Sequence, residues 1–257
     1  MKTFIQVFLF LFLTIITQIG GLTLLLAFWL NKKFTFNIWA TFFVSYLLIT
    51  LVIIPALAPI FGREAVKNSS QIEPTSYLSV LLNRNYVRPE LNRLLAQTAK
   101  NLKDTSIKIK YLDASFPFIN KFPLLPHLSH NDGKKIDISF VYEDSTGIVN
   151  EKKSLSGYGV FVPLKEGEHD QTKTCKSKGF WQYDFPKYLT FGKMNGHLVF
   201  SERGTKTLVN ALLKNRSLGK LFIEPNLKKR LGLSDSHVRN HGCHAVRHDD
   251  HIHIQLR

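Results

Sequence analysis

The sequence predicts a membrane-anchored α+β protein, and three observations carry that class. Two long apolar stretches open the chain without a charged residue, short alternating segments recur through a hydrophilic body, and stretches with apolar residues every three or four positions separate them. At 257 residues, 44% hydrophobic and 21% charged, the chain is too apolar to be disordered. Its near-zero mean hydropathy conceals a split. Lys2, Lys32 and Lys33 are the only charged residues before Arg63, and the first acidic residue is Glu64. That asymmetry excludes an ordinary soluble cytoplasmic enzyme.

Residues 4–30 and 36–61 hold 27 and 26 residues without a charge. Each exceeds the roughly 20 residues that cross about 30 Å of hydrocarbon. The joint at residues 31–35 is long enough only for a turn, so the expectation over 1–62 is a two-helix transmembrane hairpin with inner-membrane lipid around residues 4–61. Trp29, Phe34 and Trp39 suit the interface beside that turn. A cleaved signal peptide is the rival, but its apolar core spans only about 7 to 15 residues, and no small-residue cleavage site follows here. Lys32 and Lys33 weigh against Lys2, Arg63 and Lys67 almost evenly. If the Lys32–Lys33 turn is cytoplasmic, the body lies in the periplasm or otherwise outside the cytoplasmic membrane. Cys175 and Cys243, the only cysteines, would suit one bridge there or two buried thiols anywhere.

The body carries 31 of the 34 Lys and Arg and all 19 Asp and Glu, a formal charge of +12. Such charge suits an anionic polymer or lipid surface. No helix-turn-helix, aromatic ribonucleoprotein strand or Gly-rich phosphate loop accompanies it, so no nucleic acid partner is expected.

In residues 77–102, Leu78, Leu81, Leu82, Tyr86, Leu91, Leu94, Leu95 and Ala99 keep helical spacing. Pro89-Glu90 reads as a fresh first turn, so the expectation is a helix, a break at 83–88 and a second helix, within a helical linker over 63–104. Residues 106–113 and 135–142 alternate as half-buried strands around a Pro-rich loop, with Asp137 turned away from Ile136 and Ile138. Residues 144–187 read as an inserted region of loops and short strands. Residues 205–214 predict a helix, 220–223 a short strand, 225–231 a helix opened by Pro225, and 251–256 a closing strand.

Six of the ten histidines fall between His237 and His253. On a strand, His251 and His253 share one face roughly 6 to 7 Å apart, so one can bind a metal while the other faces its open position. Upstream, Gly133 permits a turn that folds His130 back over Asp137. Two His and one Asp leave a fourth position for water, the arrangement of catalytic zinc, which lowers the pKa of that water and polarises a carbonyl.

Pro126-His127-Leu128-Ser129-His130-Asn131-Asp132-Gly133 with Asp137-Ile138, followed by His248-Asp249-Asp250-His251-Ile252-His253, resembles the penicillin-insensitive murein endopeptidases in order and spacing. These are zinc peptidases grouped with lysostaphin, the D-alanyl-D-alanine dipeptidases and the hedgehog domain. The resemblance covers about residues 106–256. It implies a small antiparallel sheet flanked by helices over 105–257. It also implies zinc on His130, Asp137 and His253, His251 as general base or oxyanion stabiliser, and His127 and His248 near the site, either supporting the ligands or facing substrate. Asp250 stands where the dipeptidase branch carries a catalytic carboxylate, but strand alternation would turn it from the face of His251. Residues 112–117 lack the substrate-holding Arg of that branch, which favours a D,D-endopeptidase acting on peptidoglycan stem peptides. The alternatives are a D-alanyl-D-alanine carboxypeptidase and a non-catalytic, zinc-stabilised binding module.

Overall fold

The computed structural model describes residues 2–257. The chain is mixed α and β and divides into two compact units, each built from separated segments. The first comprises Met1–Val66, Tyr77–Pro89 and Asp113–Lys134, and the second Lys67–Ser76, Glu90–Leu112 and Lys135–Arg257.

In the first unit the expected two-helix hairpin is replaced by three helices. Residues 4–30 do not form one span: α1 (Lys2–Thr17) and α2 (Gly20–Phe34) are separated at Gln18, whose φ is +68°. The cause is local chemistry. The Thr14 and Thr17 hydroxyls donate back to the Phe10 and Leu13 carbonyls at 2.7 Å, and Thr17 Oγ1 accepts the Gly20 N–H at 2.8 Å. Glycine then allows the chain to fold back, since a Cβ on Gly21 would lie 2.7 Å from the Phe10 carbonyl oxygen. Thr3, Gln6, Val7 and Phe10 of α1 consequently face Leu24, Leu25 and Phe28 of α2. At 16 and 15 residues, these helices extend only about 22 to 24 Å, short of the hydrocarbon thickness.

The third helix starts at Asn37, whose side chain accepts the Trp39 and Ala40 N–H groups at 3.0 and 3.1 Å. It runs as α3 (Ile38–Leu48), a π turn at Ile49–Ile53, an α turn at Ile54–Leu57 and a 3-10 turn at Ala58–Phe61. Pro55 lacks the N–H that an α ladder requires, and the π turn stands just before it. Among the described residues, Ile38–Phe61 alone is long and apolar enough to cross a membrane, with 24 residues at a mean hydropathy of 2.3. Ile19, Ile54, Ala58 and Tyr86 form a buried cluster, with Tyr46, Ile49, Ala65 and Phe118 packed around it.

The second unit contains a six-stranded sheet: β1 (Ile72–Pro74), β2 (Ile109–Tyr111), β3 (Lys135–Ser139), β4 (Leu218–Phe222), β5 (Val238–Arg239) and β6 (His251–Leu256), in the order β5–β4–β6–β3–β2–β1. The four central strands are antiparallel, whereas β5 and β1 pair in parallel with β4 and β2. The expected small, wholly antiparallel sheet is therefore corrected to a mixed one. A separate three-stranded sheet joins Gly147–Val149, Tyr142–Asp144 and Val199–Phe200. The edge strands of the larger sheet escape the alternation test because each is only two or three residues long.

The helix Pro89–Asn101 begins at the expected proline, and Glu202–Leu213 is capped by Ser201, whose hydroxyl accepts the Gly204 N–H at 3.1 Å. Asn215 links these helices through the Thr98 hydroxyl at 3.0 Å. Ile136, Ile138, Ile252 and Ile254 are fully buried, and so are Leu91, Leu95, Leu208 and Leu212. The 144–187 region carries helices as well as short strands: Gln171–Ser177 and the 3-10 segment Trp181–Leu189. A disulfide joins Cys175 to Cys243, so the bridge is the alternative realised.

Candidate metal centre

Sheet register places the first group of side chains. His253 of β6 stands opposite Asp137 of β3, and His251 opposite Ser139. Directly opposed residues in an antiparallel pair project to the same face, so the imidazoles and the carboxylate converge. Asp137 is completely buried because β3 lies inside the sheet. Its Oδ1 accepts from His253 Nδ1 at 2.8 Å and lies 3.7 Å from His251 Nε2, and its Oδ2 accepts the Tyr158 hydroxyl at 2.8 Å.

Asp250 is the last residue before β6, so the pleat does not dictate its direction. Its Oδ1 accepts from His251 Nδ1 at 2.5 Å and its Oδ2 accepts the Gly159 N–H at 2.6 Å. The alternation argument that would turn Asp250 away from His251 does not describe this contact. His251 is thus held at Nδ1 by one carboxylate while its Nε2 faces another.

His127 and His130 come from the loop before β3. The His130 N–H donates to the His127 carbonyl at 2.9 Å, and the two rings lie edge to face at 5.4 Å. His130 Nδ1 pairs with the Ala114 carbonyl at 2.8 Å. A carbonyl only accepts, so this bond sets the tautomer in which Nε2 carries the lone pair that a metal takes. Donor atoms of His127, His130 and Asp137, all buried, lie within 4.8 Å of one another, and this group could hold a metal ion. Two imidazoles and a carboxylate suit zinc and other divalent ions that accept nitrogen donors, and three protein ligands leave a coordination position open.

Of the residues predicted from sequence, His130 and Asp137 therefore belong to the donor group. His127, expected to lie beside the centre, contributes the third donor. His253, expected as a ligand, has its Nδ1 2.8 Å from Oδ1 of the same Asp137. His248 lies 4.9 Å from His251 and 5.9 Å from His253, ring to ring, and stacks on His241 at 5.6 Å.

The electrostatics differ sharply between neighbours. Burial pushes the His251 imidazole down, but Asp137 and Asp250 outweigh it and hold the ring up at about 9. At His248, burial together with His251 and His253 outweighs the opposing charge of Asp137 and puts the ring well below the ordinary imidazole value. Burial and the nearby Asp249 raise the Glu224 carboxyl to about 7. Glu224 accepts the His248 N–H at 2.9 Å and also the Tyr183 hydroxyl. Arg247 joins Asp249 to Asp184 and lies over the Phe161 ring at 3.6 Å, fixing the approach to β6.

Sequence reasoning missed Tyr158, Gly159 and Glu224. Tyr158 sits between Gly157 and Gly159, whose φ values are +89° and +79°, inside the 144–187 region. The Gly-Tyr-Gly spacing marks a backbone that only glycine readily adopts, and it is the one local sign that the tyrosine is specially placed. No protein-family model matches the chain, and a search of curated proteins finds no match to it.

Proposed function

We propose that the chain is a membrane-anchored zinc metallopeptidase that hydrolyses peptide cross-links of peptidoglycan, a D,D-endopeptidase in type. The observation that carries this reading is the buried group His127, His130 and Asp137, with His251 set between the same Asp137 and Asp250. Zinc held there would supply Lewis acidity, lowering the pKa of a coordinated water and polarising the scissile carbonyl. The charged form of His251 that Asp137 and Asp250 favour would steady the developing oxyanion through Nε2. The neutral ring, where bound zinc lowers its pKa, would take the proton of the attacking water and return it to the leaving amine. Asp250 keeps the His251 ring oriented and stabilises its charged form through Nδ1. Tyr158 and His253 hold the two oxygens of Asp137, which limits its rotation.

The basic body would favour approach to an anionic wall polymer, an effect on rate that salt screens. The Cys175–Cys243 bridge supports an extracytoplasmic body, since disulfides persist in oxidising compartments.

The test is digestion of cross-linked muropeptides by full-length protein in detergent, with zinc quantified in parallel. The expected result is separated dimers, abolished by a chelator and restored by zinc. His251→Ala should keep zinc and lose turnover, whereas His130→Ala should lose zinc. Release of free alanine would mean a carboxypeptidase. Bound zinc without cleavage, combined with unfolding on chelation, would mean a zinc-stabilised module.

A further inference from the structure

Arg63 follows Gly62, whose left-handed conformation at φ +69° ends the Ile38–Phe61 helix. A charged residue at that place ordinarily faces water or headgroups. The Arg63 side chain instead turns inward, and the residue is only 1% exposed. Its guanidinium donates to the Phe116 carbonyl, to Asn120 Oδ1 at 2.6 Å and to the Asn131 carbonyl at 3.2 Å. These acceptors flank His127 and His130 on both sides in the chain. A Cβ at Gly133 would stand 3.2 Å from Arg63 Nε, so the far end of the loop closes on the same side chain. Two further contacts join the apolar helices to this loop. Gln18 Oε1 accepts the Phe118 N–H at 2.9 Å, and the Phe61 and Phe118 rings meet edge-on at 4.9 Å.

Placing a cation among neutral acceptors costs solvation that an apolar residue would not lose. Burial accordingly pushes the Arg63 guanidinium down to about 10, although Asp132 partly offsets it. Arginine does what a smaller group there would not: its planar fork fixes three acceptors from separate parts of one loop. We infer that Arg63 is a positioning residue, holding the 116–133 loop in the form that presents His127 and His130, so that the end of the membrane helix sets the geometry of the metal centre. This rests on reading His127, His130 and Asp137 as metal ligands. It makes the apolar segment a working part of the centre as well as an anchor.

The test measures zinc affinity of full-length protein in detergent by competition with a chromophoric chelator, and counts histidine ligands by X-ray absorption. Arg63→Met should weaken zinc at least tenfold and lower the histidine count. Arg63→Lys, which keeps the charge but loses the fork, should fall between that variant and wild type. The control Arg93→Met, on an exposed helix position, should match wild type. Wild-type affinity in a folded Arg63→Met protein would overturn the inference. Should that variant not fold, Asn120→Ala at an exposed position carries the test: weakened zinc supports the inference and unchanged zinc overturns it. If wild type binds no zinc, the inference falls together with the metal reading. If wild type binds zinc through His130 and the Arg63 and Asn120 variants bind equally well, only the inference falls.

Discussion

Removing the Cys175–Cys243 cross-link should cost the second unit a stability that can be worked from its place in the chain. The bridge closes a loop with a sequence separation of 68. The chain-entropy relation gives an unfolded state richer by about 15 cal/mol/K for a loop of that length, or about 4 kcal/mol at 25 °C. A unit of roughly 150 residues shifts its melting temperature by about 2 to 4 °C per kcal/mol, so a drop of about 8 to 16 °C is expected. The assay is near-UV circular dichroism of the Cys175→Ser/Cys243→Ser protein, melted beside wild type with and without a reductant. Reduction should move wild type to the position of the double variant and leave the double variant unmoved. The loss should reach the site, because the bridge ties Gln171–Ser177 to the segment where the Arg247 N–H meets the Tyr183 carbonyl at 3.0 Å. A drop below about 3 °C in the double variant would refute the reasoning, since the cross-link would then restrict an unfolded chain that was already confined.

Asp250→Asn removes the carboxylate on His251 Nδ1, and under the proposed function turnover of muropeptides should fall about 10² to 10⁴-fold with any bound zinc retained. Gly157→Ala places a Cβ 2.2 Å from Leu112 Cδ2 at a φ of +89°, which should cost about 1 to 3 kcal/mol in denaturant unfolding and weaken the Tyr158 contact with Asp137. Arg230, whose Nε donates to Glu168 at 2.7 Å, holds that carboxyl down at about 2. A depressed acid stabilises the fold above its unfolded value and loses that contribution as pH falls through the folded one. Glu168→Gln should therefore be about 1 to 2 kcal/mol less stable than wild type at pH 7, after discounting for solvent screening, with urea midpoints converging between pH 4.5 and pH 2.

The parts of the fold that the sequence announces are those governed by one local rule. Pro89 opens a helix because it lacks an N–H that the first turn does not use, and His251–Leu256 alternates because one strand separates two packed layers. The first apolar stretch fails for the opposite reason. Hydropathy counts residues 4–30 as one span, but the reversal at Gln18 depends on threonine hydroxyls and two glycines whose effect is conformational. Composition does not register a hydroxyl that bonds back to its own helix. The edge strands Ile72–Pro74 and Val238–Arg239 are invisible for another reason: their neighbours in the sheet, not their own residues, make them strands.

The site divides along the same line. Strand periodicity puts His251 and His253 on one face, and the short path from Gly133 to Asp137 keeps His130 near that carboxylate. Pattern alone does not assign which imidazoles a metal ion would meet, because that depends on what the carboxylates already hold. Asp137 accepts from His253 Nδ1 and Tyr158, and Asp250 accepts from His251 Nδ1 and Gly159. A carboxylate offers about four lone-pair positions, so the hydrogen bonds from His253 and Tyr158 do not by themselves fill those of Asp137. Those bonds still restrict where an ion can sit. His127 joins the donor group because a turn of three residues brings it beside His130, a relation that strand alternation does not describe. What decides the centre is thus the partner of each second nitrogen and second oxygen. Those partners, the Ala114 carbonyl, the Gly159 N–H and the Tyr158 hydroxyl, come from segments whose own sequence carries no metal-binding signature.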